Sequence, residues 1–375
     1  MSAAPAGRQE PGTPTLGAFT SGQLRRLCGV VGLSDADAET YAQVLTDSLG
    51  PVAGRPLDLP PANRTFLSDD HTPVEFSLSF QRGADPALRV LVEPGCGAGS
   101  LAAAGRAGLA TVRAMARRWR FSTAELDDLQ DLFLPDSPRG TLALWCALEL
   151  RPGGVPKVKV YLDPSASGPE RAAATVREAL RRLGHRHAAP ALPEADGYPF
   201  FALDLGDWQE PRAKVYLRHD GLTAVRAGRL SRMDPGPAAA GIEGFFRTAA
   251  GAGSGDSRLS RRPGLTCHSF TDTAAAHPTG FTLHVPVRDY VRHDGEALAR
   301  AVSALRRHGL DSGVLARSLA AVTERRPEDG VGLIAYLALA HQHGRPPRVT
   351  AYVSSEAYAV RPPVARAPLA AEALR

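Results

Sequence analysis

Three lysines stand among the 44 basic residues of this 375-residue chain, and they cluster in two matching segments. One reads Lys157-Val-Lys159-Val-Tyr161-Leu162, the other Arg212-Ala-Lys214-Val-Tyr216-Leu217. Arginine fills nearly every other basic position, and a compact ammonium differs chemically from a planar guanidinium. In an extended strand, residues two apart share a face, so each segment puts basic groups and a tyrosine on one side. Arg89 and Tyr352 lie in strand-like runs of the same kind. If these strands are neighbours, Arg89, Lys159, Arg212 and Lys214 converge, and four enclosed cations require an anion of comparable charge. A diphosphate fits, and positioned cations stabilise it as it departs. Tyr161 and Tyr216, with Tyr352 nearby, offer ring faces that shelter a carbocation in a space that excludes water. The combination points to ionisation of an allylic diphosphate. Glu75 is the acid on the matching face of its own run, where a carboxylate can accept an indole N–H and hold the ring in register.

The elements that would position these groups repeat five times. The strand-like pairs are residues 74–80 with 88–93, 142–150 with 157–162, 200–205 with 212–217, 265–270 with 281–285, and 331–337 with 348–353. Pro86, Pro156, Pro211, Pro278 and Pro347 mark the turns, because proline is excluded from a central strand. Helical periodicity fills the intervals, over residues 101–118 and 169–183 for example. Ser122 with Glu125 reads as a capping box opening a helix to Phe133, and Ser34, Asp294 and Asp311 are further helix starts. The expected fold is α+β: a ten-stranded antiparallel barrel surrounded by helices, in five αββα repeats, which leaves no edge strand. Val90, Val92, Val158, Val160, Val215, Leu217, Val349 and Ala351 would face the helices. The lumen would carry Glu75, Ser77, Ser79, Arg89, Glu93, Lys157, Lys159, Tyr161, Arg212, Lys214, Tyr216, Arg348, Thr350 and Tyr352.

Composition bounds the function classes. The formal net charge of +5 is spread among acids, without the basic stripe of a nucleic-acid binder. Four separated cysteines form no CxxC pair, which argues for a reducing compartment, and hence the cytosol, with neither a zinc site nor a disulfide framework. No apolar run reaches 18 residues and no signal peptide is visible, so neither a membrane span nor secretion is expected. Residues 17–362 are expected to form one domain between disordered tails, 1–16 and 363–375.

Pro73-Val-Glu75-Phe-Ser, Arg89 before Val-Leu-Val-Glu-Pro, Lys159-x-Tyr161 and Arg212-x-Lys214-x-Tyr216, in that order, resemble the dimethylallyltryptophan synthase family of aromatic prenyltransferases. The likeness is strongest to the bacterial tryptophan 6-dimethylallyltransferases and runs over about residues 16–363. It implies the αββα barrel, dimethylallyl diphosphate as donor, and L-tryptophan or a related indole as acceptor. It also implies catalysis without a cofactor or Mg2+. By resemblance Glu75 binds the indole, Arg89, Lys159, Arg212 and Lys214 bind the diphosphate, and Tyr161, Tyr216, Tyr352 and Tyr336 shield the carbocation. His284 falls where many fungal members carry a shield tyrosine, and is expected to line the pocket with Trp145. Fungal enzymes that prenylate indole C4 carry a further lysine on the strand corresponding to residues 142–150. This chain has none there, so the implied position is C6 and the final base is unassigned.

Other motifs read more plainly. Asp127-Asp-Leu-Gln-Asp131 matches the DDxxD of magnesium-dependent isoprenyl synthases, yet Leu126, Leu129 and Phe133 form the apolar stripe and leave the acids outward, as a solvated helix face. Ser68-Asp-Asp-His71 reads as a loop or cap, and Pro94-Gly-Cys-Gly-Ala-Gly99 as a loop, lacking the βαβ setting of a dinucleotide site. His268 is a strand histidine open to either a structural or a pocket role. Arg348 reads as a strand-start charge and Lys157 as exposed at a turn. Two rival functions stand beside the main one: the same barrel acting on another aromatic acceptor, and a barrel that carries a phosphorylated or isoprenoid ligand unchanged.

Overall fold

A computed structural model of the chain describes residues 13–251 and 258–364. The expected tails therefore lie largely outside the described residues. The helix Leu16–Val30 starts one residue inside the segment expected as tail. Leu16 is buried there, and Thr15 caps the helix by accepting the Ala18 N–H at 3.3 Å.

Ten strands form one closed antiparallel barrel. They are β1 Val74–Gln81, β2 Ala87–Val92, β3 Leu144–Glu149, β4 Lys157–Leu162, β5 Gly197–Leu205, β6 Ala213–His219, β7 Gly264–Phe270, β8 Gly280–Val285, β9 Ile334–Gln342 and β10 Arg345–Ser354. Each pairs with its sequence neighbours, and β1 closes the ring against β10, with Glu75 opposite Ser354 and Ser77 opposite Tyr352. The alternation expected from sequence sets the faces. Val90, Val92, Val158, Val160, Val215, Leu217, Val349 and Ala351 all lie in the main apolar core between barrel and helices. Burying such side chains contributes on the order of 1.5–3 kcal/mol each, so the outer wall fixes the register that aims the polar residues inward.

Proline marks irregularities as well as turns. The sequence puts Pro347 in a turn, yet β10 begins at Arg345 and the β9–β10 register shifts between Arg345 and Arg348. A bulge tolerates the missing N–H. Pro199 sits at the matching shift in the β5–β6 pairing, between Gly197 and Phe200.

The helices follow their caps. Ser34 accepts the Asp37 N–H at 3.1 Å and opens Asp35–Leu49. The helix Leu101–Trp119 starts on Ser100 and lays Leu109, Val112 and Met115 into the core. The box expected at Ser122 and Glu125 does not form. Ser122 Oγ instead takes the N–H of Ala124, two residues on, and two short helices, Ala124–Asp128 and Gln130–Phe133, replace one. Among the described residues, no helix is long and apolar enough to cross a membrane.

Asp294 does more than start the helix Asp294–Arg307. Its fully buried carboxylate accepts the N–H groups of Gly332 (3.0 Å) and Ile334 (3.3 Å) and pairs with Arg325 (2.6 Å), tying a helix to the start of β9. Arg325 also holds Glu356 just after β10. Asp294→Asn is expected to cost about 1–3 kcal/mol, because a buried charged pair loses its anion. The midpoint of chemical denaturation measures it.

Candidate active site

The barrel encloses a cavity of about 450 Å³ lined from Glu75 at one end to Arg345 and Pro346 at the other. The second end is open, with Arg345 and Pro346 exposed. Glu75 lies deep, only 7% exposed. Burial pushes its carboxyl up to about 8, against the opposing pull of Arg288.

Every expected diphosphate ligand lines this cavity: Arg89, Lys159, Arg212 and Lys214. They do not face an empty space. Asp204 on β5 stands among three of them, hydrogen-bonded to Lys214, 3.6 Å from Lys159 and 3.5 Å from Arg212. Burial acts to raise the Asp204 pKa, but these neighbours outweigh it and hold the carboxyl below its usual range. Glu149 on β3 does the same for Arg89 (2.7 Å) and Lys157 (2.7 Å), and is likewise held low despite burial. The expectation that four enclosed cations must await an external anion is thus corrected, since two acids already sit between them. Cross-strand register makes the pairs: Arg89 is opposite Glu149, and Lys159 opposite Asp204.

The charge is still unbalanced. Eight basic side chains and three carboxylates line the cavity. Lys214 is drawn down to about 8 by burial, with Asp204 opposing. Arg348, expected on the lumen face and read as either a strand-start charge or a fifth cation, faces the lumen with a buried Nε that has no partner, and burial, helped by Arg89, lowers it to about 10. An enclosed excess of this kind favours a polyvalent anion. Glu93, expected in the lumen, is not among the residues lining the cavity and accepts the Thr65 hydroxyl.

Beside the bases lies an aromatic cage. The Tyr161 and Tyr216 rings are 5.6 Å apart, Tyr216 and His284 5.7 Å, and His284 and Tyr352 5.7 Å. Lys159 Nζ stands 5.7 Å from the Tyr161 ring centre. All three tyrosine hydroxyls are pushed up by burial and stay neutral. Burial also holds His284 down to about 4, so its imidazole is neutral. A neutral, electron-rich cage is what an allylic cation needs.

Two expected members sit behind this wall. Trp145 is not among the lining residues: it packs on Phe200 (5.1 Å) with Leu67 and Leu142, because the loop carrying Leu67 covers the Glu75 end. Tyr336 is edge-on to Tyr352 at 6.4 Å and lies under the Arg288 guanidinium, 5.3 Å away. His268 faces the outer layer, against Phe281 and 3.3 Å from Thr266.

Asp127 is bound by Arg113 and Asp131 by Arg182 at the surface, as expected of a solvated helix face. Among the described residues, no group of three His, Cys, Asp or Glu side chains could hold a metal ion.

Known proteins share this fold. The family model for tryptophan dimethylallyltransferase matches residues 35–229. The 5-dimethylallyl tryptophan synthase of Streptomyces coelicolor, solved with DMASPP and tryptophan, is 71% identical, with 95% of this chain and 99% of that chain covered and a TM-score of 0.91. The prenyltransferase PriB, solved with L-tryptophan and dimethylallyl thiolodiphosphate, is 64% identical over 94% of this chain and 100% of that one, with a TM-score of 0.92. The 6-dimethylallyltryptophan synthase of Micromonospora olivasterospora, also with DMASPP and tryptophan, is 40% identical over 93% and 99%, with a TM-score of 0.86. A closed barrel whose bases flank a tyrosine cage, matched end to end at such identities, makes the chain a member of the tryptophan dimethylallyltransferase family.

Proposed function

We propose that the barrel transfers the dimethylallyl group of dimethylallyl diphosphate to the indole ring of L-tryptophan, at C6, and releases diphosphate without a metal ion. The observation that carries this reading is the excess of partly buried bases set against a neutral Tyr161–Tyr216–His284–Tyr352 cage in one cavity. Arg89, Lys159, Arg212 and Lys214 take the diphosphate and stabilise its growing charge as the C–O bond breaks. The cage shelters the allyl cation. The Glu75 carboxylate accepts the indole N–H and holds the ring for attack. The ring then attacks the cation by electrophilic aromatic substitution. A carrier of intact ligand has no use for a buried acid at Glu75. Four free, buried cysteines support a reducing compartment, the cytosol.

A second regiochemistry, C5, is favoured by the 71% identity to an enzyme named for that position. Incubation with dimethylallyl diphosphate and L-tryptophan in EDTA, followed by mass spectrometry and proton NMR, tests the whole reading. The expected product is tryptophan carrying one dimethylallyl unit on C6. Turnover restored only by magnesium would overturn metal independence. Both isomers leave the same coupling pattern on the ring, so a through-space contact from the prenyl methylene separates them, to H7 for C6 and to H4 for C5.

The reading also sets a pH dependence. Glu75 titrates at about 8 in the empty barrel, and only its ionised form is a strong acceptor for the indole N–H. At saturating dimethylallyl diphosphate, kcat/KM for tryptophan is expected to rise about tenfold per pH unit below that value and then level off. A flat profile from pH 6 upward would remove Glu75 from that role.

A further inference from the structure

Attack by the ring leaves a cation whose new sp3 carbon must lose a proton, and this step rests on the function proposed above. Few lumen groups are free to take it. Glu149 is held between Arg89 and Lys157, and Asp204 among Lys159, Arg212 and Lys214. Glu75 is occupied by the indole N–H. His341 lines the cavity on β9 next to Gln342, toward the open end and away from the cage. His284 stands inside the cage, on β8, with Nε2 3.2 Å from the Tyr352 hydroxyl. Burial keeps it neutral, so it does not repel the allyl cation yet retains a lone pair. A weak base suffices, because an arenium ion is a far stronger acid than an imidazolium.

We propose that His284 and Tyr352 together form the base that restores the aromatic ring. The C–H bond at the prenylated carbon breaks and its electron pair returns to the ring. Tyr352 Oη takes the proton as its own hydroxyl proton passes to His284 Nε2. The imidazolium then yields its proton to the departing diphosphate. No atom or electron is gained from outside the ternary complex.

Single-turnover and steady-state rates with ring-deuterated tryptophan test the assignment. The wild-type enzyme is expected to show no primary isotope effect on kcat, since ionisation limits the rate. His284→Phe keeps an aromatic wall but no base. It is expected to lose about 10²-fold in kcat, to show a primary isotope effect, and to keep KM for tryptophan near wild type. Release of dimethylallyl alcohol from dimethylallyl diphosphate, measured in the same variant, reports a folded barrel and how fast the altered cage still ionises the donor. Wild-type kcat in His284→Phe would overturn the proposal, as would a lost kcat without an isotope effect while alcohol release persists. If His284→Phe releases no alcohol, His284→Gln takes its place in the isotope measurement, and the same two results would overturn the proposal. Absence of prenylated tryptophan from the wild-type enzyme would instead sink the underlying function.

Discussion

Lys159→Ala is expected to lower kcat by about 10²–10³-fold, a loss of ~2.7–4 kcal/mol of transition-state stabilisation. Lys159 is the base that touches both halves of the site: its ammonium is 3.6 Å from Asp204 and 5.7 Å from the Tyr161 ring centre. On the proposed function it therefore stands between the site of the leaving diphosphate and that of the forming cation. The effect is expected in kcat more than in KM, because the other proposed donor ligands, Arg89, Arg212 and Lys214, remain while negative charge on the leaving group grows only during ionisation. Lys157→Ala is the control. Its side chain is 41% exposed, and an exposed pair is worth about 0–1 kcal/mol, so a change of no more than about fivefold is expected. Steady-state kinetics with saturating tryptophan separates the two. Equal losses from Lys159→Ala and Lys157→Ala would mean that the cluster acts as a diffuse field and not through placed donors.

Glu75→Gln is expected to lower kcat/KM for tryptophan by roughly 10–100-fold, the worth of a hydrogen bond to a charged acceptor, about 1.5–3 kcal/mol. It should also abolish the rise of activity with pH, because the amide does not titrate. Donor ionisation is remote from this end of the cavity, so dimethylallyl alcohol release should persist. A variant that keeps the wild-type pH limb would show that another group sets it. A variant that loses alcohol release as well would mean that Glu75 helps to shape the donor pocket.

The barrel is legible in the sequence because its outer wall obeys a simple alternation. Val158 and Val160 must be buried, so Lys159 and Tyr161 must point the other way. The five-fold hairpin repeat then leaves closure as the way to remove edges. The two lumen acids escape sequence reasoning for a related reason. Asp204 and Glu149 lie in the lumen by the same alternation, but each is the single acid of its strand. Their meaning emerges only from the cross-strand register that sets Glu149 against Arg89 and Asp204 against Lys159. Arg348 reads as a strand-start charge only if β10 starts there, and the bulge at Pro346 and Pro347 is invisible without the partner strand. Trp145 and Tyr336 have the correct strand face but lie toward the covered end. The distance along the barrel axis depends on the Leu67 loop and on Arg288, neither of which is patterned in sequence.

The ring is completed by β1 and β10, whose paired residues Glu75 and Ser354 are about as far apart in the chain as any two strand residues. At a synthesis rate of about 5–20 residues per second, β1 waits on the order of 10–50 s for the strand that covers its free edge. During that interval the nascent chain carries an open, apolar-faced sheet, the kind of surface that aggregates or recruits chaperones. Glu75, the proposed acceptor-binding acid, comes from the first strand and Tyr352 from the last. On the proposed function, the half-made protein therefore lacks both a closed barrel and the complete aromatic cage until its last strand is made.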